Sequence, residues 1–372
     1  MTGGGWPRLF AGLFVACLVA AAVWALRPAP QEAPPSQPAP GRWPRPAYWF
    51  WTPDLLRDDA YLEQARDLAR RSPFTLVFAT PRYPHTGVDF LDVERFAPRF
   101  REVVRVLGER GIGLGLDLRF YLGLSRQLAA EEQQGVVERV DVVLDAEGRG
   151  TAGLRDDPVL FPEVARCTGV RLLRVYRADG AQLVQLVPSS AAVAGGRLVL
   201  DCGPRDPKAG PSAVHALMLR SYGHPDLFSE AYPRAFAAAL EGYRDVGLKG
   251  AALDEFAYLP LREDRWATAL FWSLASERRF RETYGDDLVD VIARMLCGGP
   301  GPARVQAALR YHTHQRAAIA RVEQAFHDTV KRVLGPEVFV GVHPTNQTRE
   351  NYSDLERSLT ALDWWEVPRE FG

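Results

Sequence analysis

Short, unbroken apolar runs alternate along this chain with longer stretches whose apolar residues recur every three or four positions. The first run is Tyr48-Trp-Phe-Trp51. Leu55, Tyr61, Leu62, Ala65, Leu68 and Ala69 then keep helical spacing, and Phe74 to Ala79 is a second strand. That run is too apolar for the alternation of a half-exposed sheet, so both of its faces should be covered. Thr80 to Asp92 is rich in turn residues; a helix over Val93–Arg110 follows and stops at Gly111. Ile112-Gly-Leu-Gly-Leu-Asp117-Leu118 is a third strand. Strand, helix, strand, helix, strand implies parallel pairing.

The period then shortens. Val136–Leu144, Val170–Arg177, Gln182–Val187 and Arg197–Asp201 are β-type runs separated by turn signals such as Ala178-Asp-Gly180 and Ala194-Gly-Gly196. They predict a small antiparallel β domain, residues 133–216, inserted after the third strand. Helical spacing resumes with Tyr232, Phe236, Leu240 and Tyr243, and Gly247 ends it. The next strand, Leu248 to Phe256, stops at two adjacent carboxylates, Asp254 and Glu255. Long helical stretches, Arg265–Met295 and Ala303–Leu334, break at Gly298-Gly-Pro-Gly-Pro302. Val338–His343 is strand five, Tyr352–Leu359 a helix and Leu362–Glu366 strand six. The fold class expected is α/β: a (β/α)8-type barrel truncated after strand six, with a six-unit open α/β sheet as the alternative. Residues 47–132 and 217–372 would supply the two parts of the barrel.

The chain start has a different character. Leu9 to Leu26 is an apolar segment of 18 residues behind Arg8, long for a signal-peptide core and at the lower limit for a membrane span. Residues 1–27 are therefore expected to be an uncleaved anchor, or a signal peptide if Ala20-Ala21-Ala22 is cut. Residues 28–46 are a proline-rich linker. The body would lie outside the cytoplasm, touching the membrane through its N-terminal segment only. A formal net charge of −1 gives no reason to expect nucleic acid as a partner. In an oxidising compartment Cys167 and Cys202 would be free to pair, and no cysteine spacing suggests zinc.

Candidate chemistry follows from where the polar residues fall. In a βα barrel the residues at the C-terminal strand ends face the active site. Those positions hold Asp117 and Arg119, Asp254 and Glu255, His343, and Glu366. Adjacent acids resist joint ionisation, which raises the pKa of one of them. Glycoside hydrolysis uses that: one carboxyl group protonates the leaving oxygen, and a second acts as nucleophile or activates water. Glu255 is the expected general acid, Asp254 its modulator and Glu366 the partner. Asp117, Arg119 and His343 would bind sugar hydroxyls. Trp51, Tyr83, Tyr258 and Trp365, at or just past strand ends, would stack on sugar rings. Each has a plainer alternative: the acids as caps or arginine partners, the aromatics as core. No cofactor is indicated, and nothing in the sequence calls for calcium. A non-catalytic carbohydrate-binding protein on a degenerate barrel is the second hypothesis.

The segments Tyr48-Trp-Phe-Trp51, Tyr222-Gly-His-Pro-Asp226, Gly250-Ala-Ala-Leu-Asp-Glu255, Tyr284-Gly-Asp-Asp-Leu288 and Asp363-Trp-Trp-Glu366 resemble stretches of barrel glycoside hydrolases of the α-L-rhamnosidase-like kind. The likeness runs from about Tyr48 to the end of the chain. It implies a β insertion after strand three, long helices after strand four, a carbohydrate substrate, and a strand-four acid at Glu255 or Asp254. Two departures accompany it: later strands that carry a second carboxylate are missing, and Phe256 stands where a proline often follows the acids.

Overall fold

The computed structural model describes residues 44–81, 87–118, 128–156, 167–179, 182–204, 212–254 and 270–343. From Arg45 onward they belong to one compact unit. β1 (Pro46–Trp51) leads through a 3-10 segment into α1 (Ala60–Arg71). β2 (Leu76–Pro81) is buried at every position. The side chain of Asp92 caps α2 (Val93–Gly108) by accepting from the Arg95 backbone N–H at 3.2 Å. β3 (Gly113–Leu118) completes the opening.

An antiparallel run follows: β4 (Gln133–Leu144), β5 (Arg149–Gly153), β6 (Gly169–Asp179), β7 (Gln182–Leu186), β8 (Ser190–Ala194), β9 (Arg197–Asp201) and β10 (Ser212–Pro225). β10 runs on past Ala216 and pairs with β4 as far as Pro225–Gln133. The chain continues through α3 (Ala231–Gly242), β11 (Gly250–Asp254), β12 (Leu270–Trp272), α4 (Leu274–Tyr284), α5 (Leu288–Cys297), α6 (Pro302–Leu334) and β13 (Phe339–His343).

The result is a mixed α/β fold with one parallel and two antiparallel sheets. The parallel sheet takes its strands in chain order, β1-β2-β3-β11-β13. Among the described residues it is open, with β1 and β13 at its edges. The second sheet is β12-β4-β10-β6-β7 and the third β5-β9-β8. The expected sixth strand and the helix before it lie outside the described residues.

Strand alternation gives the parallel sheet two unlike faces. Trp49, Trp51, Val77, Ala79, Leu116 and Leu253 pack with the buried stripes of α1, α2, α3 and α6 in the main core. The opposite face carries Leu76, Phe78, Ala252 and Phe339. Glycines leave room for those rings: a Cβ on Gly115 would lie 2.5 Å from the Phe78 ring, and one on Gly250 would lie 3.0 Å from it. A second core forms where the second sheet, through Leu217, Leu219 and Trp272, meets Val291 and Ile292 of α5 and Tyr311 of α6. The 33 residues of α6 thus serve both cores.

Two expectations are corrected. The stretch expected as a long helical region, roughly Arg265 to Met295, contains β12 and two separate helices from Leu270 onward. Leu270–Trp272 pairs with Gly135–Val137, Ser273 caps α4, Gly285 turns at φ 72°, and Asp287 caps α5. Cys167 and Cys202 are not joined to each other by a disulfide.

Candidate functional site

Four polar positions lie at the end of adjacent strands of the parallel sheet or one residue before it: Thr80, Asp117, Asp254 and His343. In register, Asp117 is the Cα partner of Ala252, and Asp254 that of His343. Ala79 pairs with Leu116, so Thr80 and Asp117 stand side by side one residue further on. The period of two puts Thr80 in line with Phe78, and Asp117 in line with Gly115. It likewise sets the Asp254 and His343 positions in line with Ala252 and Gly341. The polar positions therefore share the face opposite the helices, at its C-terminal end.

Asp117 and Thr80 are both fully withdrawn from water. A carboxylate so placed is costly unless it is paired or hydrogen-bonded. Thr80 belongs to this group although the sequence placed it in a loop.

The other expected residues divide in two. Glu255, Arg119, Tyr83, Tyr258, Glu366 and Trp365 lie outside the described residues. Trp51 lies on the helix-covered face, fully buried, with ring centroids 5.1 Å from Phe100, 5.3 Å from Tyr61 and 5.8 Å from Phe90. Its expected role as a sugar platform is corrected to core packing. Alternation leaves Tyr48 and Phe50, not Trp49 and Trp51, on the polar face.

A second buried polar cluster joins β10 to α3 and α4. The Gln134 amide and the His224 ring share a 2.9 Å hydrogen bond. Asp226 accepts from the Phe228 N–H at 3.1 Å and from the Ser273 hydroxyl at 2.8 Å, while its own N–H donates to the Glu132 carbonyl at 2.8 Å. Burial pushes the Asp226 carboxyl up to about 6; its two accepted hydrogen bonds and the Arg321 charge pull less strongly the other way. The Ser276 hydroxyl lies 3.2 Å from Nε2 of His314, whose ring stacks on Phe228 at 4.3 Å. Burial holds His314 neutral, its pKa down at about 4. A crossover helix runs against its strands, so α3 begins at the C-terminal end of the sheet and Asp226 anchors that end. The resemblance read in the sequence marked Tyr222–Asp226 but not this role, because Ser273 is 47 positions away.

A cleft of about 350 Å³ opens elsewhere, between the β6–β7 hairpin and the α5–α6 turn. Its wall includes Tyr176 and Asp290, joined at 2.6 Å, and Arg174 holds Asp290 at 2.9 Å and Asp287 at 2.6 Å. Among the described residues no group of three histidine, cysteine or acidic side chains is placed to hold a metal ion, and no helix is long and apolar enough to cross a membrane. Leu9–Leu26 lies outside them.

No family model matches this chain, and no curated protein matches it. Among solved structures it is similar to TtGalA, an α-galactosidase from Thermus thermophilus in complex with p-nitrophenyl α-D-galactopyranoside. Identity is 16% and the TM-score 0.26, over 84% of this chain and 40% of that one. This chain thus spans well under half of that enzyme's length. A TM-score of 0.26 marks a distant likeness from which nothing about this site follows, and it does not single out the α-L-rhamnosidase-like kind.

Proposed function

We propose that the chain is a glycoside hydrolase acting on poly- or oligosaccharides, with its carboxylates at the C-terminal rim of a (β/α)8-type barrel. The observation that carries this reading is the placement of the Asp117, Asp254 and His343 positions near the C-terminal ends of parallel strands that follow one another in chain order. A doubly wound sheet reverses its strand order at its ligand site, whereas a barrel wall never does. The acidic ends supply what glycosidic cleavage requires. Glu255, next in sequence after Asp254, is the proposed general acid, and Asp254 keeps it protonated or binds substrate. Glu366 is the proposed partner. Residues 133–216 form an insertion between the barrel halves, and residues 1–46 anchor and tether the domain outside the cytoplasm. The resemblance to α-L-rhamnosidase-like enzymes agrees with this reading.

A panel of chromogenic glycosides tests it. The wild-type chain should hydrolyse at least one, and Glu255→Gln should abolish turnover while keeping the melting temperature. Unchanged turnover in Glu255→Gln would remove that residue from the mechanism. Saturable sugar binding without hydrolysis by the wild type would favour a carbohydrate-binding protein instead.

A further inference from the structure

We propose that the cleft between the β6–β7 hairpin and the α5–α6 turn binds an acidic saccharide, with Arg294 and Arg304 holding its carboxylate. The cleft shares no residue with the polar strand ends of the parallel sheet, so this site stands or falls separately from the glycosidase reading.

Charge is unevenly matched in this part of the molecule. Asp286 pairs with Arg310, Glu277 with Arg281, and Asp287 with both Arg281 and Arg174. Asp290, in the cleft wall, is already matched by Arg174 at 2.9 Å. Arg294 and Arg304 line the same cleft and make no ion pair among the described residues. A guanidinium presents paired N–H donors whose spacing fits the two oxygens of a carboxylate. Arg294 is half-buried, which makes its attraction for an anion stronger than that of a charge in open water.

The neutral part of the lining suits hydroxyls. Gln182 and Gln185 of β7 bring side-chain amides, each able to donate and to accept. Burial, helped by the neighbouring Asp290 carboxylate, pushes Tyr176 well above the ordinary tyrosine range. Its hydroxyl therefore stays protonated and donates to Oδ1 of Asp290 at 2.6 Å. Arg174 donates to the same oxygen, which leaves Oδ2 to accept from a ligand hydroxyl. The Asp290 side chain is 37% exposed, and Gln182, Gln185 and Arg304 form an exposed rim, so a ligand can enter. Gly298 shapes the remaining wall: a Cβ there would stand 2.4 Å from the Arg294 carbonyl, so the turn closes this tightly only with glycine. The cleft, at about 350 Å³, has room for a sugar ring.

The test is a ligand-observed NMR titration of the full chain with glucuronate, using glucose and inorganic phosphate as competitors. Glucuronate should bind saturably, glucose should not displace it, and phosphate should do so only at higher concentration. Arg294→Gln and Arg304→Gln should each weaken glucuronate roughly 10- to 100-fold, the loss of a charge-assisted hydrogen bond, at unchanged melting temperature. Arg304 is exposed, so Arg304→Gln carries the test if Arg294→Gln does not fold. Failure of glucuronate to saturate, or wild-type affinity in the folded arginine variants, would overturn the proposal. Displacement by glucose at equal concentration would remove the need for an anion and overturn it as well. Phosphate binding as tightly as glucuronate would overturn the saccharide assignment in favour of a simple oxyanion. None of these outcomes bears on the glycoside panel, so the two readings fail independently.

Discussion

Ser273 donates its hydroxyl proton to Asp226 at 2.8 Å, tying the start of α4 to the end of β10. The same Ser273 oxygen accepts from the Ser276 N–H at 2.9 Å, so one side chain caps the helix and holds the rim.

Acid stability should separate the two buried titrating groups of this cluster. With its pKa at about 6, Asp226 keeps a proton in the fold that the unfolded chain has already released. Its contribution is complete below about pH 4 and is lost as pH rises through 6. His314, at about 4, acts in the opposite sense: its contribution is complete above about pH 6.5 and is lost as pH falls through 4. Each is worth on the order of 3 kcal/mol and the two oppose between pH 4 and 6. Asp226→Asn should therefore make the melting temperature fall on acidification across that window, and His314→Gln should make it rise. Melting curves at pH 4, 5, 6 and 7 check this; parallel pH slopes in both variants would contradict it.

Arg220 on β10 reaches Glu138 on β4 at 2.8 Å and the Arg155 carbonyl at 2.6 Å, with its side chain 5% exposed. Removing one partner of a buried ion pair strands the other charge, at a cost of about 3–5 kcal/mol. Glu138→Ala should lose that much in urea denaturation. The double variant Glu138→Ala/Arg220→Met should recover part of it, and a strictly additive result would mean the two side chains do not interact.

Gly115→Ala places a methyl group 2.5 Å from the Phe78 ring. Overpacking of this kind costs about 1–3 kcal/mol. Phe78→Leu combined with Gly115→Ala should be more stable than the sum of the two single changes, because the smaller side chain yields the space. A double-mutant cycle by chemical denaturation measures the coupling.

Trp51→Ala should lose about 3–5 kcal/mol, as expected for a buried aromatic. Trp51→Phe sacrifices no hydrogen bond, since the buried indole N–H has no acceptor. It should lower the melting temperature without changing KM for the cleaved glycoside. A raised KM at unchanged stability would return Trp51 to the sugar site.

The parallel strands were legible because each is an unbroken apolar run followed or preceded by helical spacing. What escaped depends on partners far away in sequence. Four consecutive aromatics at Tyr48–Trp51 alternate faces, but nothing local says which pair the helices will cover. β12 has three residues, too few to show a period of two. Asp226 sat in a recognised motif, yet its role is set by Ser273 and by burial. Thr80 fell at the junction between an apolar run and a turn-rich stretch, where strand ends are least distinct.

At 33 residues, about 50 Å, α6 is long enough to give Ala307, Ala308 and Tyr311 to one interior and Ala318, Val322 and Phe326 to the other. Because helix formation is cooperative, unwinding that begins at one end of such a shared girder spreads toward the residues that support the other interior. The β-rich half and the parallel half should consequently lose structure in a single cooperative transition, despite having separate hydrophobic interiors.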